Sequence, residues 1–249
     1  MSIYVVGDTS KQFPELDEGR EKFLTDIPHE GENIDPLNPW YCELTGLFHM
    51  WKNSDAFYVG LEHYRRFFLS MKYPKRRMGI DEAQKILDKC DMIVTEYNHG
   101  PRYDAARWFA DSKYTGHLER FMEVLDPETR EGFNAYLHRH TLIVCNMFIG
   151  KRPVMERWCN YIFDLLVKYG KHVQLNASNR RMPGYFAEHI FGYWLEKEKV
   201  PLFKAPKVDI EYIERNGIGE ATTGYVNYPP PKGGELLGFA STEPLVQTR

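Results

Sequence analysis

The stretch Glu62-His63-Tyr64-Arg65-Arg66 sets a carboxylate, an imidazole, a phenol and two guanidiniums side by side. Adjacent arginines offer planar forks of charged N–H donors that match the oxygens of a phosphate. Such a cluster could bind a multi-oxygen anion and neutralise charge developing on it. Directly upstream runs Phe57-Tyr58-Val59-Gly60-Leu61, a short apolar run of the kind that forms a buried strand. The polar residues then stand at the strand's C-terminal end, where open α/β sheets bind their ligands. A second reading stays open here: a charge cluster at a sheet edge, paired with nearby Asp and Glu.

The elements that must hold this cluster follow from pattern. Ile3-Tyr4-Val5-Val6 reads as a first strand, ended by Gly7-Asp8-Thr9-Ser10. That is a common start for a nucleotide-binding α/β domain, and equally a plain strand and turn. Residues 11 to 37 are polar and irregular. A helix is expected from Asn38 as N-cap and Pro39 at its first turn, with Trp40, Tyr41, Leu44, Leu47, Phe48 and Trp51 as one apolar stripe. Glu43 flanks that stripe, either favouring the helix dipole or aimed into a site beneath. After the strand at 57 to 63 come a basic loop (67 to 79), a helix capped by Asp81 and a strand over 90 to 95. The alternation predicts a parallel sheet with helices packed on it.

Further along, residues 97 to 103 are loop chemistry rich in hydrogen-bonding groups. Helices are expected at about 115 to 125 and 127 to 138. A buried strand follows over 142 to 150, interrupted by Asn146, whose amide must brace a loop or contact a ligand. A long amphipathic helix runs over 153 to 169. The loop 170 to 183 is polar and basic, with Arg180 and Arg181. The last strong helix starts near Gly184, with Phe186, Ile190, Tyr193 and Trp194 as its buried stripe and Glu188 off it. A short edge strand is expected at 200 to 203. Beyond about residue 210, Gly and Pro accumulate, and the stretch 210 to 249 reads as an extended or partly disordered tail.

Composition excludes some classes. The 249 residues, 43% hydrophobic and 27% charged, suit one globular domain with an appendage. A net charge of -3 argues against bulk nucleic-acid binding. Cys42, Cys90, Cys145 and Cys159 lie far apart with no C-x-x-C pair, which points to buried thiols in a reduced, cytoplasmic protein rather than to zinc. Met1 leads straight into strand-like sequence, so no signal peptide is expected, and no apolar run approaches the about 20 residues that span a bilayer.

Several segments resemble a known family of bacterial capsular and exopolysaccharide proteins, the domain of unknown function DUF4422, regarded as glycosyltransferases of the GT-A type. They are Gly31-Glu32-Asn33-Ile34, Asn38-Pro39-Trp40-Tyr41-Cys42-Glu43-Leu44-Thr45 and Val59-Gly60-Leu61-Glu62-His63-Tyr64-Arg65-Arg66-Phe67. Cys145-Asn146-Met147-Phe148-Ile149 and Gly184-Tyr185-Phe186-Ala187-Glu188-His189-Ile190-Phe191 complete the set. The resemblance covers about residues 3 to 205. It implies a GT-A-like α/β domain over 1 to 209, with a mixed, mostly parallel central sheet flanked by helices. It also implies transfer of a sugar from a nucleoside-diphosphate donor, UDP foremost, to a glycan or lipid-linked glycan, with peripheral membrane contact at most.

The resemblance assigns sites as well. GT-A enzymes usually place an Asp-x-Asp pair at a central strand end to hold a cation on the diphosphate. Here that place reads Glu62-His63-Tyr64, with one carboxylate. Arg65 and Arg66 neutralising the diphosphate is the favoured expectation. The alternative is Mg²⁺ or Mn²⁺ held by Glu62, with His63 or Asp8. Gly7, Asp8 and Thr9 would face base and ribose, and Asn146 the donor sugar. Asn38, Tyr41 and Glu43 are further substrate-site candidates. Glu188 is the expected base that takes the acceptor's proton in an inverting transfer, with His189 second. The alternatives are an inactive nucleotide-sugar-binding or assembly subunit, or a nucleotidyl- or phosphotransferase. The loops 97 to 115 and 170 to 183 are expected to decide sugar and acceptor.

Overall fold

Residues 1–73, 76–98, 104–111 and 115–209 are described by the computed structural model. The expected tail beyond 209 and parts of loops 67 to 79 and 97 to 115 lie outside them. Strand β1 (Ser2–Gly7) is buried along most of its length, as its apolar run requires. Strand β2 (Arg20–Leu24) lies inside the segment expected to be irregular. Its charged start, Arg-Glu-Lys, hides it from an apolar-run search. Among the described residues it pairs only with β1, in parallel, as an edge strand, where charge is tolerated.

The helix expected over 38 to 51 is two helices, α1 (Asn38–Tyr41) and α2 (Leu44–Asn53). Cys42 between them has φ 52°, in the left-handed region, which no α-helix continues through. Leu37 is the N-cap, so Asn38 and Pro39 occupy the first turn. Strand β3 (Tyr58–His63) is parallel to β1, with Val5 opposite Glu62 and Val6 opposite His63. The chain then turns back at once into β4 (Arg66–Phe68), antiparallel to β3, where loop was expected.

Helix α3 (Ile80–Leu87) has Gly79, not Asp81, at its N-cap. Strands β5 (Met92–Val94) and β6 (Glu96–Asn98) follow, then helices α4 (Ala105–Asp111), α5 (His117–Glu123) and α6 (Pro127–Leu137). The strand expected over 142 to 150 is also two: β7 (Thr141–Ile143), which pairs with β6, and β8 (Phe148–Lys151), which pairs with β3 and β5. Cys145 and Asn146 separate them, with φ of 82° and 44°. Helices α7 (Arg152–Val173) and α8 (Met182–Lys197) and strands β9 (Leu202–Lys204) and β10 (Lys207–Asp209) complete the order.

The central sheet runs β2-β1-β3-β8-β5-β9, with β4 and β10 added beside the end of β3. Six strands point one way and β4 and β8 run against them. Helices pack on this mixed sheet, with Trp158, Tyr169, Phe186 and Phe191 fully buried where α7 and α8 meet the core. Each such side chain contributes on the order of 1.5–3 kcal/mol of burial. Among the described residues no helix is long and apolar enough to cross a membrane. The four thiols are free, Cys42 half-buried and the other three buried.

Candidate functional site

A cavity of about 1100 Å³ lies at the C-terminal ends of β1 and β3, walled on the other side by the start of α8. Open α/β sheets bind ligands at this end because the connections there diverge. Gly7 and Asp8 come from the end of β1, and His63, Tyr64, Arg65 and Arg66 from the β3–β4 hairpin. The reversal at Tyr64-Arg65 is what brings both arginines to one wall. Tyr64 continues the β1–β3 pairing by donating its N–H to the Val6 carbonyl at 2.9 Å. Its ring lies against Gly7, where a Cβ would stand 3.0 Å from Tyr64 and 2.7 Å from Phe13. A side chain at residue 7 would have to push the Phe13 ring aside.

Among the described residues, six cationic side chains line the cavity, Lys11, Arg65, Arg66, Arg180, Arg181 and Lys207, with three carboxylates, Asp8, Glu43 and Glu188. In a chain of net charge -3 this local positive surplus favours an anion. Arg180 and Arg181 are placed by α1: the Trp40 Nε1–H donates to the Asn176 carbonyl at 2.9 Å, and the Arg181 N–H to the Pro39 carbonyl at 3.0 Å. Arg181 itself sits at φ 67° and its Nε–H donates to the Tyr185 hydroxyl at 3.2 Å.

The break at Cys145-Asn146 holds three of the candidate residues. The Cys145 N–H donates to Glu188 Oε1 at 2.8 Å, and the Cys145 carbonyl accepts from His63 Nε2 at 2.9 Å. The Asn146 amide donates to Glu43 Oε1 at 2.8 Å and to the Gly184 carbonyl at 3.2 Å. A regular strand would spend these backbone groups on its ladder. The left-handed pair turns them toward side chains instead. The break between α1 and α2 does the complementary job by presenting Glu43 at the N-cap of α2.

Burial is the largest influence on His63 and pushes its pKa down to about 4; Glu43 opposes this, while Arg66 and Arg65 add to it. The ring is neutral at pH 7, and because a carbonyl only accepts, the proton is on Nε2. Nδ1 is left as an acceptor. Burial likewise pushes the Cys42 thiol up to about 12, with Glu43 adding to the rise, so this cavity thiol stays protonated. His189 Nδ1 lies 2.8 Å from the Tyr185 carbonyl, so Nδ1 carries that bond's proton.

Other expected site residues lie elsewhere. Glu62 does not line the cavity. Strand alternation puts residues 62 and 63 on opposite faces, and Glu62 is fully buried against Arg20, whose Nε–H donates to Oε2 at 2.7 Å. The Phe68 N–H takes Oε1 at 3.1 Å. Both oxygens are thus engaged inside the protein, which does not fit a metal ligand or a diphosphate contact. Thr9 is exposed, tied to Asp26 through its N–H at 2.9 Å. Tyr41 is buried in the core, and Asn146 sits behind the wall, supporting Glu43. Asn38, Glu43, Glu188 and His189 do line the cavity. Among the described residues no three His, Cys, Asp or Glu group as a metal site would need.

The sequence profile described as "Domain of unknown function (DUF4422)" matches residues 5–199. The chain belongs to the DUF4422 family. No curated protein matches this DUF4422 chain. The apo structure of WbbM, a bifunctional glycosyltransferase, is similar with a TM-score of 0.69 and 18% identity, over 84% of this chain and 45% of that one. At that identity the likeness establishes the α/β fold, and this chain spans less than half of that chain's length.

Pattern reading singles out none of Lys11, Trp108, Arg180, Arg181, Tyr185 and Lys207, although Trp108 and the arginine pair fall in the loops 97 to 115 and 170 to 183 expected to decide sugar and acceptor. Arg180-Arg181 carried a usable signal, a second arginine pair in a polar loop just before a helix. Lys207 carried none, since it reaches the cavity only through the pairing of β10 with β4.

Proposed function

We propose that this DUF4422 chain is a glycosyltransferase that moves a sugar from a nucleoside-diphosphate donor, UDP foremost, to a glycan hydroxyl. The single observation that carries this is the cavity's charge pattern: among the described residues, six cations converge on it from the ends of β1 and β3, the start of α8 and β10, with the carboxylate of Glu188 on its α8 wall. Arg65 and Arg66 bind the diphosphate and stabilise the charge it gains as the glycosidic C–O bond breaks. Glu188, oriented by the Cys145 N–H, accepts the proton as the acceptor oxygen attacks the anomeric carbon. Nucleoside diphosphate leaves with the bonding electrons, and the configuration inverts. The likeness to a glycosyltransferase fold supports this reading, and the resemblance noted in the sequence agrees with it.

The test is a thermal-shift screen of UDP and UDP-sugars, with and without Mn²⁺, joined to a UDP-release assay. UDP at a hundredfold excess over its Kd stabilises by about 2.7 kcal/mol, which raises Tm by about 5–10 °C for a chain of this size. Arg65→Ala and Arg66→Ala each remove a charge-assisted contact worth roughly 1.5–3 kcal/mol, so UDP binding falls about 10- to 100-fold. Glu188→Gln keeps the UDP shift and loses transfer. If neither UDP nor any UDP-sugar shifts Tm in either condition, the proposal is wrong.

A further inference from the structure

We propose that Trp108 and Tyr185 form a stacking platform for the acceptor, a saccharide whose apolar ring face lies on them while one hydroxyl reaches Glu188. This rests on the glycosyltransferase reading above and adds the acceptor's chemical class and seat.

The cavity has two differently built ends. At one, Tyr64 is the hub: Phe13 lies 6.1 Å from it, Lys11 Nζ 5.7 Å and the Arg65 guanidinium 5.8 Å. That end joins rings to cations and suits a nucleoside diphosphate. At the other, Trp108 and Tyr185 meet edge to face at 5.4 Å and 67°, making an aromatic corner. Trp108 also stacks on His189 at 6.0 Å and 22°. Tyr185, Glu188 and His189 are spaced i, i+3, i+4 on α8 and so share one face. Glu188 therefore stands beside the corner, and through Cys145 it connects to His63 at the strand ends.

Trp108 packs against the core on one side and lines the cavity on another. The next residue, Phe109, is the one that enters the core, 1% exposed and stacked on Phe186 at 5.6 Å. Trp108 and Tyr185 remain only partly buried and line the cavity. The corner is also held in place. Asp104 caps α4 by accepting the Arg107 N–H at 2.7 Å, and Arg181 anchors the Tyr185 hydroxyl. Aromatic walls with a few fixed polar groups are how pockets take a ligand with one apolar face and a polar edge. A pyranose is such a ligand.

Saturation-transfer NMR with methyl glycosides of glucose, galactose, mannose and rhamnose, each in the presence of UDP, tests this directly. Thermal shifts with UDP are measured in parallel on every protein. At least one glycoside should receive saturation on its ring protons, and Trp108→Leu should weaken that signal at least tenfold while its UDP shift stays as in the wild type. Should Trp108→Leu not fold, Trp108→Met carries the same comparison. The proposal is overturned if UDP binds but none of the glycosides does, or if the leucine variant binds a glycoside like the wild type. Loss of the UDP shift in the variant would assign the corner to the nucleotide and overturn it too. No UDP shift in the wild type overturns the donor reading itself, and this one with it.

Discussion

Glu62→Gln separates a structural carboxylate from a ligand-binding one. Glu62 and Arg20 face each other with no exposed side-chain surface. Burial opposes the Arg20 charge, and Glu62 with Asp17 overcomes that, leaving the guanidinium's pKa raised. Removing one partner of such a buried pair costs about 3–5 kcal/mol because the other charge is left uncompensated. Here the low end applies. Asp17 still accepts two bonds from Arg20 Nη1, at 3.0 and 2.9 Å, and the Met78 carbonyl accepts a third at 2.8 Å. A loss of about 3 kcal/mol lowers Tm by roughly 6–12 °C in a chain of this size. Circular-dichroism melts with and without UDP and Mn²⁺ read this out. The expected result is a large fall in Tm with the UDP shift unchanged. The double variant Arg20→Met with Glu62→Leu should recover only part of the loss: it removes both charges' desolvation costs but leaves the Phe68 N–H and the Met78 carbonyl without these partners. An unchanged Tm together with a lost UDP or Mn²⁺ response would refute the argument and return Glu62 to the site.

Two other outcomes follow from the Cys145-Asn146 break. Asn146→Gly keeps the left-handed backbone but removes the bond to Glu43, so stability should fall by about 1–3 kcal/mol in chemical denaturation, and Asn146→Ala should fall further because of its positive φ; equal stability of the two would show that φ carries no cost there. His63 titrates near 6.5 when unfolded and at about 4 when folded, so the unfolded chain binds more protons between these values. Its contribution, at most about 3 kcal/mol, is complete above pH 6.5 and is lost as pH falls toward 4. Melts of the wild type and His63→Gln across that window should differ in slope, and parallel slopes would sink the assignment.

The parts of this protein legible in its sequence are those decided by local pattern. The stripe of Val154, Met155, Trp158, Ile162 and Leu165 marks α7, and the run ending at Leu61 marks β3 with the arginine pair after it. The misreadings share a cause. Glu62 and His63 read as one cluster because they are neighbours in sequence, although alternation along a strand sends them to opposite faces. The partner that decides the matter, Arg20, is 42 residues away on a strand without an apolar run. Cys42 and Cys145 gave no warning of a break, since a left-handed backbone at cysteine leaves no compositional trace; Asn146, of a type that tolerates that region, carried half of one. These breaks coincide with the site for a physical reason. A continuous helix over 38 to 51 would carry Glu43 on along its flank, and a continuous strand over 142 to 150 would lock the Cys145 N–H and carbonyl into a ladder. Interrupting both frees the backbone groups that hold Glu188 and His63 and places Asn146 where it holds Glu43. Local regularity and the positioning of these groups compete for the same atoms, so the places where periodicity fails are where the candidate chemistry is assembled.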